Sequence, residues 1–154
     1  MKILRDEKLL RLPCMEVSMK QGLKTAKQLF SILDNYNRNY LVQGIGLSAI
    51  QCGIYEKVCI INLQNNKFCL INPKIIEESN VKFTTIERCL SLPGIEIETQ
   101  RPLWIRIKSD NLGIQIFGIT DIAKFTKYDK LLVTCIAHEI DHCFNRLIID
   151  FKKE

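Results

Sequence analysis

Apolar and polar positions along the chain follow three different patterns. Behind Ser18-x-x-Gln21, which reads as a capping box, Leu23, Ala26, Leu29, Phe30 and Leu33 recur at helical spacing. A helix is therefore predicted over about residues 19–35, with a core-facing stripe, ended by Asn35-Tyr36-Asn37. Residues 1–14, mixing charge with leucine, read as an extended arm. From Lys57 onward β signals take over. Residues 57–63 and 67–71 flank a turn at Gln64-Asn65-Asn66, and residues 81–86, 104–108 and 114–118 are three further strands, the last two joined through residues 110–113. Pro73, Pro93 and Pro102 are expected at strand edges or in loops, where a missing N–H is tolerated. The helical period returns at the end. Thr126-x-x-Asp129 opens a helix running to about residue 145, with Leu131, Cys135, His138 and His142 on one face and Leu132, Ile136, Ile140 and Phe144 on another. Two such faces imply burial nearly all round. The pattern predicts an α+β fold: antiparallel β-sheets packed around a buried C-terminal helix, with an N-terminal helix. No repeat, low-complexity segment or linker divides residues 1–154, so one domain is expected.

Composition narrows the class. The chain is 47% hydrophobic and 25% charged, as soluble globular proteins are. A net charge of +5 fits docking on an acidic or nucleic-acid-rich partner without establishing one. No basic cluster is interleaved with aromatics, which argues against direct, sequence-specific nucleic-acid reading. The seven cysteines are odd in number, irregularly spaced and without a C-x-x-C. No apolar leader precedes them. They read as buried small hydrophobes in a reducing cytosol rather than a disulfide framework. No stretch approaches the ~20 apolar residues of a membrane span.

The chemistry is concentrated in one place. The only two histidines stand four residues apart in Ala137-His138-Glu139-Ile140-Asp141-His142, the pattern H-E-x-x-H. On a helix, i and i+4 share a face, so both imidazoles can hold one metal ion with Glu139 beside it to move protons. A catalytic centre of this type usually has three protein ligands. With no third histidine, the third must be Cys, Asp or Glu. Only Asp150 and Glu154 follow His142 as carboxylates, so an upstream ligand is favoured, with Cys89 in Glu87-Arg88-Cys89-Leu90-Ser91 as the leading candidate, in a loop after a strand. Thiolate suits zinc or ferrous iron. A further unusual segment is Gly44-Ile45-Gly46-Leu47-Ser48-Ala49-Ile50-Gln51, whose glycines let another backbone approach closely and whose Gln51 offers an amide donor.

Together these segments resemble the peptide deformylase family. GIGLSAIQ resembles G-x-G-L-A-A-x-Q, ERCLS resembles E-G-C-L-S, and AHEIDH resembles Q-H-E-x-D-H. Ile71-Asn72-Pro73 and Arg101-Pro102 match two smaller motifs, and the likeness runs from about Leu4 to Phe151. The resemblance implies that Cys89, His138 and His142 ligate one divalent metal, ferrous iron ahead of zinc, nickel or cobalt. It implies that Glu139 moves the proton of a water, and that the Gln51 amide and the Leu90 backbone N–H hold the oxyanion. The substrate implied is the N-formyl-methionine end of a nascent polypeptide, with formate released. Gly44, Ile45, Gly46, Arg88, Leu131 and Cys135 would bind the substrate: the backbones of Gly46 and Arg88 would bond the peptide as an added strand, and Leu131, Cys135 and Thr134 would line a methionine pocket with Ile45. The rival readings are a metalloprotease cutting internal bonds and a non-catalytic binder of peptide termini. The implied setting is a bacterial-type cytoplasm or a phage-infected cell, or else an organelle, with the ribosome exit region as a partner. Many bacterial members continue into a C-terminal helix implicated in ribosome docking, whereas Lys152-Lys153-Glu154 closes this sequence, so the docking mode stays open.

Three motif positions differ. Arg88 replaces glycine: it is strained if φ is positive, and otherwise reaches the groove and favours acidic substrates. Ser48 for alanine is expected to be near-isosteric and without consequence. Ala137 for glutamine removes a polar side chain beside a ligand. Glu87 and Arg101 are expected to pair and hold the Cys89 segment.

Overall fold

The computed structural model describes residues 2–151. The opening segment is not simply an extended arm. The Asp6 side chain accepts the Lys8 N–H at 2.9 Å and caps a helical turn, α1 (Glu7–Leu10), which buries Leu10. The amphipathic helix follows as α2 (Met19–Asn39), with Ala26, Leu29 and Leu33 buried. Ser18 Oγ accepts the Gln21 N–H at 3.2 Å, but the Gln21 side chain turns to Thr25 and Glu56, so the predicted box closes from one side only. Asn35-Tyr36-Asn37 does not end the helix. It runs one turn further, with Tyr36 stacked on Tyr40 at 4.3 Å.

β1 (Gly46–Ser48), β2 (Val58–Leu63) and β3 (Asn66–Ile71) form an antiparallel sheet in that order. The β2–β3 turn is the two residues Gln64-Asn65, with Leu63 facing Asn66. The second half adds β4 (Lys74–Glu78), β5 (Lys82–Cys89), β6 (Leu92–Pro102), β7 (Trp104–Ser109) and β8 (Gly113–Gly118). A second sheet has the order β4-β7-β8, and β5 pairs with β6 alone. Three of these strands escaped the hydrophobic pattern: β1, β4 and β6. Cys89 also closes β5 rather than lying in a loop, with Leu90-Ser91 as the turn and Leu92 opposite. Gly113, at φ 67°, supplies the left-handed residue that closes the β7–β8 turn.

α3 (Lys127–Cys143) is the central element. Thr126 and Asp129 cap it reciprocally, and every residue from Leu132 to Cys143 is buried. Phe144, assigned to its apolar face, is instead the exposed C-cap residue. The helix packs Val133, Ile136, Ala137 and Ile140 against Cys59, Ile61 and Leu70 of one sheet and Ile105 and Ile107 of the other. α2 closes the far side of β1 and β2 through Ala26, Leu29 and Leu33. A smaller cluster joins Leu10, Cys89, Leu92, Leu147 and Ile148, so α1 and the 3-10 turn Ile148–Phe151 back the Cys89 hairpin. The architecture is α+β, as the pattern predicts. Among the described residues no helix is long and apolar enough to cross a membrane.

Gly22 is where α2 meets β3. A Cβ there would lie 2.6 Å from Ile71 Cγ2 and 2.9 Å from its Cγ1. Gly22→Ala is expected to destabilise the fold by about 1–3 kcal/mol of overpacking, outweighing a helix-propensity gain of about 1 kcal/mol. Urea unfolding checks this, and a more stable variant would contradict it.

Candidate metal centre and active site

α3 carries His138, Glu139 and His142, and the β5–β6 hairpin carries Cys89. Their side chains meet. His138 Nε2 lies 3.2 Å from His142 Nε2, and Cys89 Sγ lies 3.4 Å from His142 Nε2. All three donor atoms fall within 4.8 Å of one another, and all three residues are buried. A tetrahedral ion with bonds of about 2.0–2.1 Å to nitrogen and about 2.3 Å to sulfur needs donor separations of about 3.3–3.6 Å. The two closest separations sit at that scale. One sulfur and two nitrogens leave a fourth corner for water or substrate. Asp150, the described carboxylate downstream of His142, is held by Arg11 at 2.7 Å instead.

The imidazoles are oriented from behind. His138 Nδ1 donates to Glu87 Oε1 at 3.0 Å, which turns Nε2 toward Cys89 and His142. Burial alone would lower the His138 pKa, but hydrogen bonds to Cys89 and Glu87 outweigh it and hold the ring well above its usual value. Burial and the neighbouring His138 push His142 well below its usual value, toward the neutral form that ligates metals. His142 Nδ1 is buried and finds no hydrogen-bond partner among the described residues.

Glu87 is itself gripped. Arg101 Nε and Nη2 donate to its two oxygens at 2.7 and 2.8 Å, Thr99 donates to Oε2, and Arg101 Nη1 reaches Asp141 of α3 at 2.9 Å. Burial would raise Glu87, but the hydrogen bonds from His138 and Arg101 bring it down from 4.5 to about 2. The expected Glu87–Arg101 pair is present. Its extension to His138 and Asp141 is not visible in the spacing of the motifs, although the Asp before the second histidine was its one signal.

The glycine segment lies across α3. Asn37 clamps it, its amide bonding the Gly44 N–H at 2.7 Å and the Gly44 carbonyl at 3.0 Å. Gly44 and Gly46 make room for neighbouring side chains. A Cβ at Gly44 would strike Leu33 and Leu90, and one at Gly46 would strike Glu139 and Cys135. The Ser48 N–H donates to Gln51 Oε1 at 2.9 Å, which fixes the amide so that Nε2 faces Ser91 Oγ at 3.1 Å and Cys89 Sγ at 3.5 Å. Glu139 is buried next to the cluster, and burial raises its pKa.

The remaining candidates are spread around this centre. Cys135 is buried with Sγ 3.5 Å from the Ile45 carbonyl, Thr134 is buried with an unpartnered hydroxyl, and Leu131 is 42% exposed. Leu90 occupies the hairpin turn and packs partly buried against the α2 cluster. Arg88 is not strained, since positive φ among described non-glycine residues occurs at Gln64, Asn72 and Asn145. Its guanidinium pairs with Glu96 at 2.5 Å on the neighbouring strand, at the exposed surface. Ala137 is buried in the core, so the His138 ring takes its orientation from Glu87 and not from that position. All seven cysteines are free thiols, and six are buried. Burial raises Cys14 to about 11 and Cys52 to about 12, leaving them inert.

Fold and site together define a metal-capable α+β protein with one sulfur and two nitrogen donors. The chain belongs to the polypeptide deformylase family, whose sequence model matches residues 1–154. It is 34% identical over 123 residues to peptide deformylase 1 of Burkholderia multivorans, covering 78% of this chain and 64% of that protein. It is 36% identical over 123 residues to the peptide deformylase of Blochmanniella floridana, covering 78% and 66%. The matched stretch thus spans just under two thirds of these relatives. The crystallographic peptide deformylase of Plasmodium falciparum superposes with a TM-score of 0.77 at 30% identity, covering 99% of this chain and 87% of that one. The Synechococcus elongatus enzyme in complex with actinonin gives 0.76 at 28%, covering 100% and 79%.

Two outcomes follow from the Glu87 network. Arg101→Met is expected to lower metal affinity roughly 10–100-fold and stability by about 3–5 kcal/mol, read by elemental analysis and urea unfolding; unchanged values would contradict the network. Glu87 titrates lower in the folded than in the unfolded chain. Its contribution is therefore complete above pH 4.5 and is lost as pH falls toward about 2. Unfolding of the metal-free protein across that window is expected to show the loss, and Glu87→Gln to flatten it; a flat wild-type profile would contradict it.

Proposed function

We propose that this chain is a metal-dependent hydrolase that removes the N-formyl group from formyl-methionyl nascent peptides and releases formate. The observation that carries the reading is the convergence of Cys89, His138 and His142 on one another, with the buried Glu139 next to His138 in the same helix. Family membership supports it. These three residues would hold the metal. Ferrous iron is the reading carried from the family, and the same donor set also accepts zinc, nickel or cobalt. An ion bound there would supply Lewis acidity toward the formyl oxygen and would lower the pKa of an adjacent water from about 15.7 toward about 7.

The chain's own residues do the rest. Glu139 accepts the water proton as the formyl carbon is attacked and delivers it to the departing amine, a task that suits a carboxyl whose pKa is raised. The Gln51 amide and the Leu90 N–H donate to the oxyanion, and a donor of this type is worth roughly 10²–10³ in rate. Among the described strands β1 pairs with β2 and β5 with β6, which leaves each a second edge, where the backbones of Gly46 and Arg88 would bond an added peptide strand with Gly44 and Ile45 flanking it. Ile45, Thr134, Cys135 and the half-open Leu131 form the wall of the methionine pocket. Formylated chains appear where translation starts with formyl-methionine. The setting is therefore a bacterial-type cytoplasm, a phage-infected cell or an organelle, near the ribosome exit.

Anaerobically prepared ferrous protein is expected to release formate from formyl-Met-Ala and to leave blocked internal peptides intact. Glu139→Ala is expected to keep its metal and lose roughly 10²–10⁴ in kcat. Cleavage of internal bonds would mark a metalloprotease. No turnover with metal bound would mark a peptide binder.

A further inference from the structure

In β1, residues two apart share a face, so Gly46 and Ser48 point the same way, toward α3. They treat Glu139 in opposite manners. Gly46 makes room: a Cβ there would stand 2.8 Å from both Glu139 Cγ and Oε1. Ser48 makes contact: its fully buried hydroxyl lies 2.8 Å from Glu139 Oε2 and 2.8 Å from the Glu139 backbone carbonyl. Among the described residues it is the one hydrogen-bond donor found on that carboxylate. The motif this segment resembles has alanine here. The serine is thus more than the isosteric replacement expected, because its oxygen has two partners that a methyl group cannot engage.

A hydroxyl carries one proton and two lone pairs. An ionised carboxylate competes for that proton better than a carbonyl already inside a helix. When the carboxyl carries a proton, the hydroxyl can accept it and turn its own toward the Glu139 carbonyl. The contact survives in either state.

We infer that Ser48 is a positioning residue: its hydroxyl holds the Glu139 side chain against the face cleared by Gly46, in one rotamer aimed at the water-side corner of the Cys89–His138–His142 centre. This rests on the deformylase reading. Ser48 touches neither substrate nor metal, and acts through Glu139. Its backbone N–H meanwhile fixes Gln51, so one residue of β1 sets both polar groups.

The test is Ser48→Ala, which installs the residue of the motif and leaves the backbone bond to Gln51 intact. The metal-loaded variant is expected to keep wild-type metal content and to hold KM for formyl-Met-Ala within about twofold, while kcat falls roughly 10–100-fold. Its crystal structure is expected to show the Glu139 carboxylate displaced or in more than one rotamer. Wild-type kcat with the carboxylate in place would overturn the inference, and so would loss of metal in step with activity, because the hydroxyl would then serve the helix. If wild type itself releases no formate, the deformylase reading fails, and the two crystal structures still decide whether Ser48 holds Glu139.

Discussion

A single buried carboxylate, Glu87, connects the metal-capable cluster to the body of the protein. It lies 3% exposed and meets the His138 ring and the Nε–Nη2 edge of Arg101. A charge taken out of water at this depth is costly unless it is paired and hydrogen-bonded on every side. That requirement is what locks the geometry. The donor sulfur belongs to a hairpin and the donor nitrogens to a helix, and Arg101 spans the two by holding Glu87 with one edge and Asp141 with the other. Phe151 covers the guanidinium at 5.0 Å, so the outermost layer of this stack comes from the last 3-10 turn.

The opposite wall is set by packing rather than charge. Asn37 at the end of α2 grips Gly44, and Leu33 and Leu90 fill the space that a side chain at Gly44 would need. β1 is thereby pressed onto α3 with Gly46 and Ser48 turned inward. The glycine and the serine act together: one admits Glu139, the other meets it. The three residues of this short strand thus join the long amphipathic helix to Glu139.

The two long helices were legible because a 3.6-residue period is hard to disguise, and Thr126-x-x-Asp129 marks an unambiguous start. The two candidate nitrogen donors were legible because all the histidine of the chain lies in one motif, and Cys89 because no third histidine exists and its segment resembles a family motif. β6 was not. Its second and third residues are Pro93 and Gly94, which read as loop, and two of its buried positions hold Thr99 and Arg101 where a strand pattern calls for apolar residues. The same is true of Glu87 in β5. These inward polar residues serve the site, and local rules are most often broken where function requires it. The Ser48 contact was illegible for another reason. It joins residues 91 positions apart, and no local pattern carries that information.

X-ray absorption of the metal-loaded protein addresses the central arrangement most directly. The expected first shell holds one sulfur at about 2.3 Å and two nitrogens at about 2.0–2.1 Å with a light oxygen or nitrogen scatterer in the fourth position, distances typical of zinc sites. A shell without sulfur would mean that Cys89 does not reach the ion held by His138 and His142, and would contradict the account.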